Sequence, residues 1–258
     1  MKHFVLTLIA STALFTQAMG QGKVTNVSTN TAKLNIEVLQ NQEQTARLSR
    51  FLYAGYNTLC LPMTLTAEQM ATAAKDARIE RLVAIKQEGS TLNLYFVDCT
   101  EEGVQAGVPY LIYSPTKQYL QATNNEAQTV SSTLKAIRLN DGEGNQVTFS
   151  SSWENMAKNG RYGIPAQQPV TPLESVLIKT EGDKQFLPTR CGFSWDQQAS
   201  SATELKIVHM EDMGEVTAIV GIEKAQAGAA YYDLNGRKIN GQAKKGVFIT
   251  GGDKVLVK

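Results

Sequence analysis

Apolar and polar side chains alternate along most of the apolar segments of this chain. A period of two places the apolar side chains of a segment on one face of an extended strand, which is typical of a half-buried β-strand. The pattern predicts strands at residues 34–38, 92–96, 205–207 and 216–222. Because strands of this kind must cover their apolar face, the alternation predicts an antiparallel β-sandwich.

One segment departs from this alternation and predicts a helix. Residues 66–77 begin with Thr66, a residue type that caps helices, and continue through Glu68 and Gln69 into a run rich in alanine. The segment has too few large apolar residues to organise a helical core, so we expect it to cover the sheet. The fold class is therefore predicted to be all-β: an antiparallel β-sandwich with one short helix, followed by a small C-terminal β-hairpin module.

Turn residues near the C-terminus predict the hairpins of that module. Asn235 and Gly236 form a pair that accepts positive φ at both central positions of a hairpin, and Gly251 with Gly252 can do the same. The strands around these turns would form a small sheet. Such a sheet is either a separable module or the last part of the main sandwich, and the residues leave both alternatives open.

The chain divides into three predicted parts. A proline-rich stretch disfavours regular structure and predicts a surface loop at Pro165, Pro169 and Pro172. A second soft boundary precedes the last block of predicted strands. The parts are a signal peptide at 1–20, a β-sandwich domain at 21–212 and a β-rich tail at 213–258.

The N-terminal segment has the order of features of a secretory signal. Lys2 supplies the positive start, and an apolar run follows at residues 4–15. That run is too short to span a bilayer, which requires roughly 20 apolar residues. Ala18 and Gly20 are small residues at the positions that a signal peptidase reads, so cleavage is predicted after Gly20. The alternative is a buried N-terminal helix of a cytosolic protein.

Charge gives no sign of a polyanionic partner. Cleavage removes only Lys2 among the charged residues, which leaves 24 of the 25 Lys and Arg against 24 Asp and Glu. A balanced chain has no excess of positive charge for nucleic acid or an anionic membrane. We therefore expect a protein or glycan ligand, chosen by shape, and no stable transmembrane span.

Three cysteines are an odd number for a chain that leaves the reducing cytosol. Cys60 and Cys99 both lie in predicted strands, so a disulfide between them is one hypothesis. Free cysteines that pack as small apolar side chains are the other. At least one thiol, counting Cys191, would remain free.

Two neighbouring segments resemble a known β-sandwich module. Residues 56–63, YNTLCLPM, and residues 105–112, QAGVPYLI, are similar to recurrent segments of secreted and surface proteins of the Bacteroidetes, including Prevotella-like species. Tyr56 and Met63 depart from the usual tryptophan and phenylalanine. Gly107 and Pro109 are expected to shape a bend before a buried strand.

The C-terminal residues 230–258 resemble the sorting domains that the type IX secretion system recognises. The pattern consists of a tyrosine strand, a hairpin, a strand after Lys-Gly and a last strand with lysine and valine. The resemblance implies the type IX machinery as a partner and a cell-surface or extracellular destination, with the periplasm as an alternative. The matching positions are Tyr231, Asp233, Leu234, Gly236, Arg237, Gly246, Phe248, Lys254 and Val257.

A search for catalytic chemistry yields weak candidates. His209 is the only histidine after residue 20, so a site of the Ser-His-Asp or Cys-His type could use no other imidazole. Residues 191–195, CGFSW, are similar to the papain-type nucleophile segment, but Ser194 stands where the cysteine belongs. A buried strand with Cys191 inside explains them better.

Acidic residues near His209 could in principle bind a metal. Glu211 and Asp212 follow it, but a strand end with exposed acids is the favoured interpretation. A second acidic group predicts a solvated turn, with a glycosidase-type carboxylate pair or a calcium site as the alternative: Asp98, Glu101 and Glu102. We predict no catalytic residue, no metal and no cofactor.

Aromatic side chains in polar surroundings are the best candidates for binding. Such rings stack on sugars or form hot spots in protein interfaces. The ligand-binding candidates are Trp153, Tyr162 and Trp195, and further aromatics of this group are Tyr110, Tyr113 and Tyr119. The leading hypothesis is an exported, non-enzymatic interaction protein resembling an adhesin. The alternatives are a carbohydrate-binding protein that captures glycans and a carboxylate-based hydrolase.

Overall fold

The structure is a computed structural model, and it describes residues 23–164, 175–198 and 200–211, together with tail strands at 231–232, 238–239, 246–250 and 253–257. The predicted signal peptide, the predicted strand at 216–222 and the proline-rich loop lie outside the described residues. So do the turn residues of the tail and four sorting positions. Those four are Asp233, Leu234, Gly236 and Arg237.

The described elements follow in chain order, with a single 3₁₀ turn at Thr100–Glu102. They are β1 (Thr25–Ser28), α1 (Ile36–Gln40), β2 (Ala46–Leu52), β3 (Gly55–Cys60), β4 (Met63–Thr64), α2 (Ala67–Ala73), β5 (Arg78–Glu88), β6 (Thr91–Asp98), β7 (Pro109–Ser114), β8 (Gln118–Thr123), β9 (Thr129–Val130), β10 (Ile137–Asn140), β11 (Asn145–Ser151), β12 (Met156–Ala157), β13 (Tyr162–Gly163), β14 (Ser175–Val176), β15 (Ile178–Lys179), β16 (Gln185–Phe186), β17 (Cys191–Gln197), β18 (Glu204–Met210), β19 (Tyr231–Tyr232), β20 (Lys238–Ile239), β21 (Gly246–Thr250) and β22 (Asp253–Val257).

Two large sheets form the centre of the described chain. One has six strands in the order β14-β18-β6-β5-β7-β3, and the other has five in the order β10-β11-β17-β13-β15. Phe96 of the first sheet contacts Phe149 and Phe193 of the second, with ring centroids 5.8 and 6.2 Å apart. All three rings are fully buried. The predicted all-β class and its sandwich arrangement are therefore confirmed.

A smaller sheet has the order β1-β2-β8. Its strand β2 alternates strictly between buried and half-buried residues. The pairs β1–β2 and β6–β18 are parallel, whereas the other described pairs are antiparallel. Alternation along one strand carries no information about the direction of its neighbour, so the sequence could not predict these two pairs.

The helix predicted from Thr66 is confirmed. It is α2, and the Thr66 and Gln69 side chains form a reciprocal capping box with the backbone of the first turn. A second short helix, α1, replaces the strand predicted at 34–38, so that prediction is wrong. The Asn35 side chain accepts a hydrogen bond from the Val38 N–H at 3.3 Å and begins the helix, and Ile36 and Leu39, three residues apart, are its buried residues.

Other predicted elements are where the alternation placed them. Residues 92–96 lie in β6 and residues 205–207 in β18. In the tail, β19 pairs with β20 and β21 with β22, both antiparallel, in a four-stranded sheet of order β20-β19-β21-β22. The predicted C-terminal hairpins are therefore present, with Tyr231, Gly246, Phe248, Lys254 and Val257 in these strands. In the described part of the chain, no helix has the length and apolar character needed to cross a membrane.

Candidate functional site

Three aromatic side chains form an accessible apolar surface on the described part of the chain. Phe51 of β2 lies directly opposite Tyr119 of β8, with ring centroids 5.3 Å apart. Phe51 also contacts Tyr53 edge to face, at 5.1 Å. Tyr119 is 60% exposed and Tyr53 is 43% exposed. We call Phe51, Tyr53 and Tyr119 the ring patch.

The ring patch follows from the alternation of β2. Ala46, Leu48 and Leu52 are buried, so the residues between them lie on the opposite face of the strand. Phe51 occupies one of these outward positions, where a polar residue would be ordinary. Beyond the strand, Asn57 holds the backbone of Tyr53, because its side chain accepts a hydrogen bond from the Tyr53 N–H at 3.0 Å and donates one to the Tyr53 carbonyl at 2.9 Å.

Neutral polar side chains continue the outward face of the same sheet. Ser49 lies opposite Gln121 on one side and opposite Ser28 on the other. Ser28 and Gln121 are exposed. Arg47, opposite Thr123, is the only charged residue of β1, β2 and β8 on this face. The surface therefore combines rings that can stack with hydroxyl and amide groups that can form hydrogen bonds.

A second polar group lies inside the fold. The Tyr56 hydroxyl donates a hydrogen bond to Glu80 Oε1 at 3.0 Å, and His209 Nδ1 lies 2.5 Å from Glu80 Oε2. Glu80 is 4% exposed. Burial, followed by the charge and the hydrogen bond of Glu80, raises the pKa of Tyr56 well above its ordinary value. His209 Nε2 is buried and has no hydrogen-bond partner among the described residues.

This buried group corrects the interpretation of His209. The sequence predicted a strand end with exposed acids, and Glu211 is indeed exposed. His209 itself lies on the inner face and pairs with Glu80, which is 129 residues away and which sequence spacing could not connect to it. Asp212 lies outside the described residues. Within residues 23–211, apart from the gaps stated above, no three His, Cys, Asp or Glu side chains are placed to hold a metal ion.

Tyr162 and Trp195 lie together, but they face the core. Tyr162 pairs with Phe193 across the sheet, and Trp195 pairs with buried Val147, so both rings share the buried face of β17. Their centroids are 5.8 Å apart, and the Trp195 N–H donates a hydrogen bond to Asn145 at 3.0 Å. Both side chains are half-buried and pack against the main core.

Trp153 lies elsewhere, at the margin of a separate cleft. It is 9% exposed, and its N–H donates a hydrogen bond to the Ser132 carbonyl at 2.6 Å. The cleft has a volume of about 620 Å³, and an ion pair between Lys33 and Glu154 lies beside it. The structure thus does not bring Trp153, Tyr162 and Trp195 onto one open face.

Of the six aromatics that the sequence singled out, Tyr119 is the one that belongs to the ring patch. Tyr110 is buried, and its hydroxyl accepts a hydrogen bond from the Gln105 N–H at 3.1 Å. Sequence reasoning missed Phe51 and Tyr53. The available signal was the alternation at residues 46–52, which puts Phe51 on the face opposite to the apolar one.

The acidic turn after β6 is solvated, and the cysteines are buried. Asp98 accepts a hydrogen bond at 2.8 Å from the N–H of Thr100, the first residue of the 3₁₀ turn, and Glu101 and Glu102 are exposed, so the solvated turn is confirmed. All three cysteines are buried, and the structure holds them as free thiols with no bond between Cys60 and Cys99. Cys191 is buried at the start of β17, as predicted.

Comparisons with known protein families, with curated proteins and with solved structures give no match to this chain.

Proposed function

We propose that this chain is an exported, non-enzymatic binding protein that recognises its ligand on the ring patch and uses its tail as a signal for transport across the outer membrane. The proposed binding function rests on the ring patch. Two of its three rings expose more than two fifths of their surface. Rigid aromatic side chains lose little conformational entropy on binding, which suits them to a contact surface.

The export part is supported by sequence and by the tail strands. Residues 1–20 have the order of a signal peptide, and the sorting-like tail contains two hairpins in a sheet of its own. A protein sorted in this way would reside at the cell surface or in the medium. An interaction protein resembling an adhesin fits that location.

Glycan capture is a second candidate function, and a specific observation favours it. The ring patch continues into a row of neutral hydroxyl and amide groups, with Ser28, Ser49 and Gln121 side by side on neighbouring strands. Sugar rings offer C–H faces for stacking and hydroxyl groups for hydrogen bonds, which is the chemistry this surface complements. The hydrolase alternative has less support, because two of its three candidate acids are already engaged: Asp98 accepts a hydrogen bond from the Thr100 N–H at 2.8 Å, and Glu102 forms an ion pair with Arg81 at 2.9 Å.

Binding can be tested with purified protein on arrays of glycans and of host surface proteins. Replacing Tyr119 or Phe51 with alanine should weaken any binding that the ring patch provides by at least tenfold, since stacked aromatic anchors commonly contribute about 2 kcal/mol. Ile178→Ala is a matched control, because Ile178 is 53% exposed on β15 of a different sheet. Equal losses in all three variants would contradict the proposal.

Export can be tested in the native host by mass spectrometry of surface, periplasmic and medium fractions, with and without the type IX machinery. The expected mature chain begins at Gln21 and leaves the periplasm only when the machinery is present. An intact chain that remains in the periplasm in both strains would overturn the sorting role of the tail. Binding by the ring patch would be unaffected by that result.

A further inference from the structure

Two buried cysteines lie in adjoining segments of different sheets. Cys60 ends β3 of the six-stranded sheet, and Cys191 begins β17 of the five-stranded sheet. The Cys60 N–H donates a hydrogen bond to the Thr189 carbonyl at 2.9 Å. The Thr58 hydroxyl accepts one from the Cys191 N–H at 2.8 Å and donates one to the Cys191 carbonyl at 3.1 Å. The two segments therefore run side by side at hydrogen-bonding distance.

The two thiols share their surroundings. Both cysteines are 0% exposed. The Ser151 side chain, which lies directly opposite Cys191 on β11, acts to lower the pKa of both thiols, against the larger effect of burial. After burial, the nearby Cys191 thiol is the next cause that raises the pKa of Cys60.

Cys99 has different neighbours. Its N–H donates a hydrogen bond to the Ile79 carbonyl of β5 at 2.8 Å. Burial raises the pKa of its thiol, and the charged side chains that act on it are Glu102, Arg81, Asp98 and Glu80. The structure therefore favours a pair other than the one considered from the sequence.

We propose that Cys60 and Cys191 form a disulfide that joins the two sheets, with Cys99 as the remaining free thiol. The proposal rests on the proposed export, which brings the chain to an oxidising compartment. The oxidant is a disulfide of protein or small-molecule type. One thiolate attacks it to give a mixed disulfide, and the second thiolate displaces the oxidant, so the two cysteines lose two protons and two electrons and the oxidant becomes two thiols.

Burial of both thiols determines when the disulfide can form during folding. A thiolate must reach the oxidant, and neither thiol has an exposed surface in the folded chain. Burial also raises the pKa of Cys191 to about 12, which disfavours its thiolate. The bond therefore forms while β3 and β17 are still open, and it is protected once the sheets close.

The test uses the full mature chain, unfolded in denaturant with reductant and refolded in a buffer of reduced and oxidised glutathione. The refolded protein is then denatured without reductant, alkylated, digested and analysed by mass spectrometry. The expected result is one alkylated cysteine, Cys99, and a linked pair of peptides that contain Cys60 and Cys191. Three alkylated cysteines, or a link that includes Cys99, would overturn the proposal.

A stability measurement provides a second readout. For wild type and for the control Cys99→Ser, reductant should raise the unfolding equilibrium constant by about 30- to 1,000-fold. Cys60→Ser and Cys191→Ser should show no dependence on reductant, whatever their own stability. A dependence on reductant that persists in these two variants would contradict the pairing. Because refolding in glutathione does not involve the cell, failure of export would leave this result unchanged.

Discussion

Tyr56 and His209 stack face to face, with ring centroids 4.1 Å apart and planes inclined by 14°. Three strands, β6, β5 and β7, separate their strands β18 and β3 in the six-stranded sheet. Neighbouring strands lie about 4.8 Å apart, so a flat sheet would keep these rings well separated. The sheet therefore curls around its inner face, and Glu80 of the central strand β5 lies within reach of both residues.

The first prediction concerns the effect of Tyr56 on the stability of the protein at alkaline pH. Because the pKa of Tyr56 is raised in the folded protein, its phenol ionises more easily in the unfolded chain, near the ordinary value of 10. Its contribution to the free energy of unfolding is thus complete below about pH 10 and is lost as the pH rises toward the folded pKa. Tyr56→Phe should reduce the alkaline slope by up to about 1.4 kcal/mol per pH unit.

Urea unfolding between neutral pH and the onset of alkaline unfolding measures this slope. Tyr56→Phe should also cost about 1–3 kcal/mol at neutral pH, because Glu80 Oε1 loses its donor inside the core. Exposed Tyr119→Phe is the matched control and should keep the wild-type slope. An unchanged slope in Tyr56→Phe would show that this phenol does not carry the effect.

The second prediction concerns the buried guanidinium group of Arg50, whose planar fork of N–H groups donates to two backbone carbonyls. Arg50 is 2% exposed, and its two terminal nitrogens donate to the carbonyls of Thr58 and Thr189. Burial, with the nearby charge of Arg190 as the second cause, lowers the pKa of Arg50 to about 9. Arg50→Lys should cost about 1–3 kcal/mol, because one ammonium group cannot bond both carbonyls as the planar fork does.

Denaturant unfolding of the variant at neutral pH measures this cost. Arg47→Lys lies on the same strand with its side chain on the outward face, and it should stay within about 0.5 kcal/mol of wild type. If both lysine variants were equally stable, the paired hydrogen bonds of Arg50 would contribute nothing to the free energy of unfolding.

The third prediction concerns Gly107, which the sequence placed at a bend. Its φ is +76°, and a Cβ atom there would lie 2.0 Å from the Thr133 carbonyl oxygen. Gly107→Ala should cost at least about 3 kcal/mol, since both the backbone conformation and the contact are unfavourable. Gly160→Ala is the control: its φ is +72°, but nothing lies within 4 Å of the added atom. A cost of about 1–2 kcal/mol is expected there, and thermal unfolding compares the two.

The fourth prediction compares an inner with an outer aromatic residue. Phe149 is fully buried and stacks on Phe193 with centroids 4.3 Å apart. Phe149→Ala should lower the free energy of unfolding by about 3–5 kcal/mol. Tyr119→Ala, on the ring patch, should change the free energy of unfolding by less than about 0.5 kcal/mol. A loss of binding in that variant would then be due to the lost surface contact and not to unfolding. A large destabilisation by Tyr119→Ala would contradict this prediction, because a loss of binding could then result from unfolding.

Local patterns predicted much of the fold but little of the candidate site. The capping residues Thr66 and Gln69 identified α2, and alternation identified β6 and β18, because these signals depend on neighbours in the sequence. The prediction from alternation is wrong at residues 34–38, because Asn35 caps a short helix there and the buried residues of that helix lie three positions apart. Polar neighbours in the sequence named Trp153, Tyr162 and Trp195 as binding candidates, but such neighbours cannot tell which aromatic side chains the fold exposes.

By itself, the sequence determined the all-β class, the short helix and the hairpins of the tail, since each follows from periodicity or turn chemistry over a few residues. Only the tertiary structure decided which distant residues meet. The curl of one sheet brings Tyr56, Glu80 and His209 together, and the packing of two sheets brings Thr58 of β3 against Cys191 of β17. The physical reason is that these contacts depend on strand order, direction and curvature, which no single segment encodes.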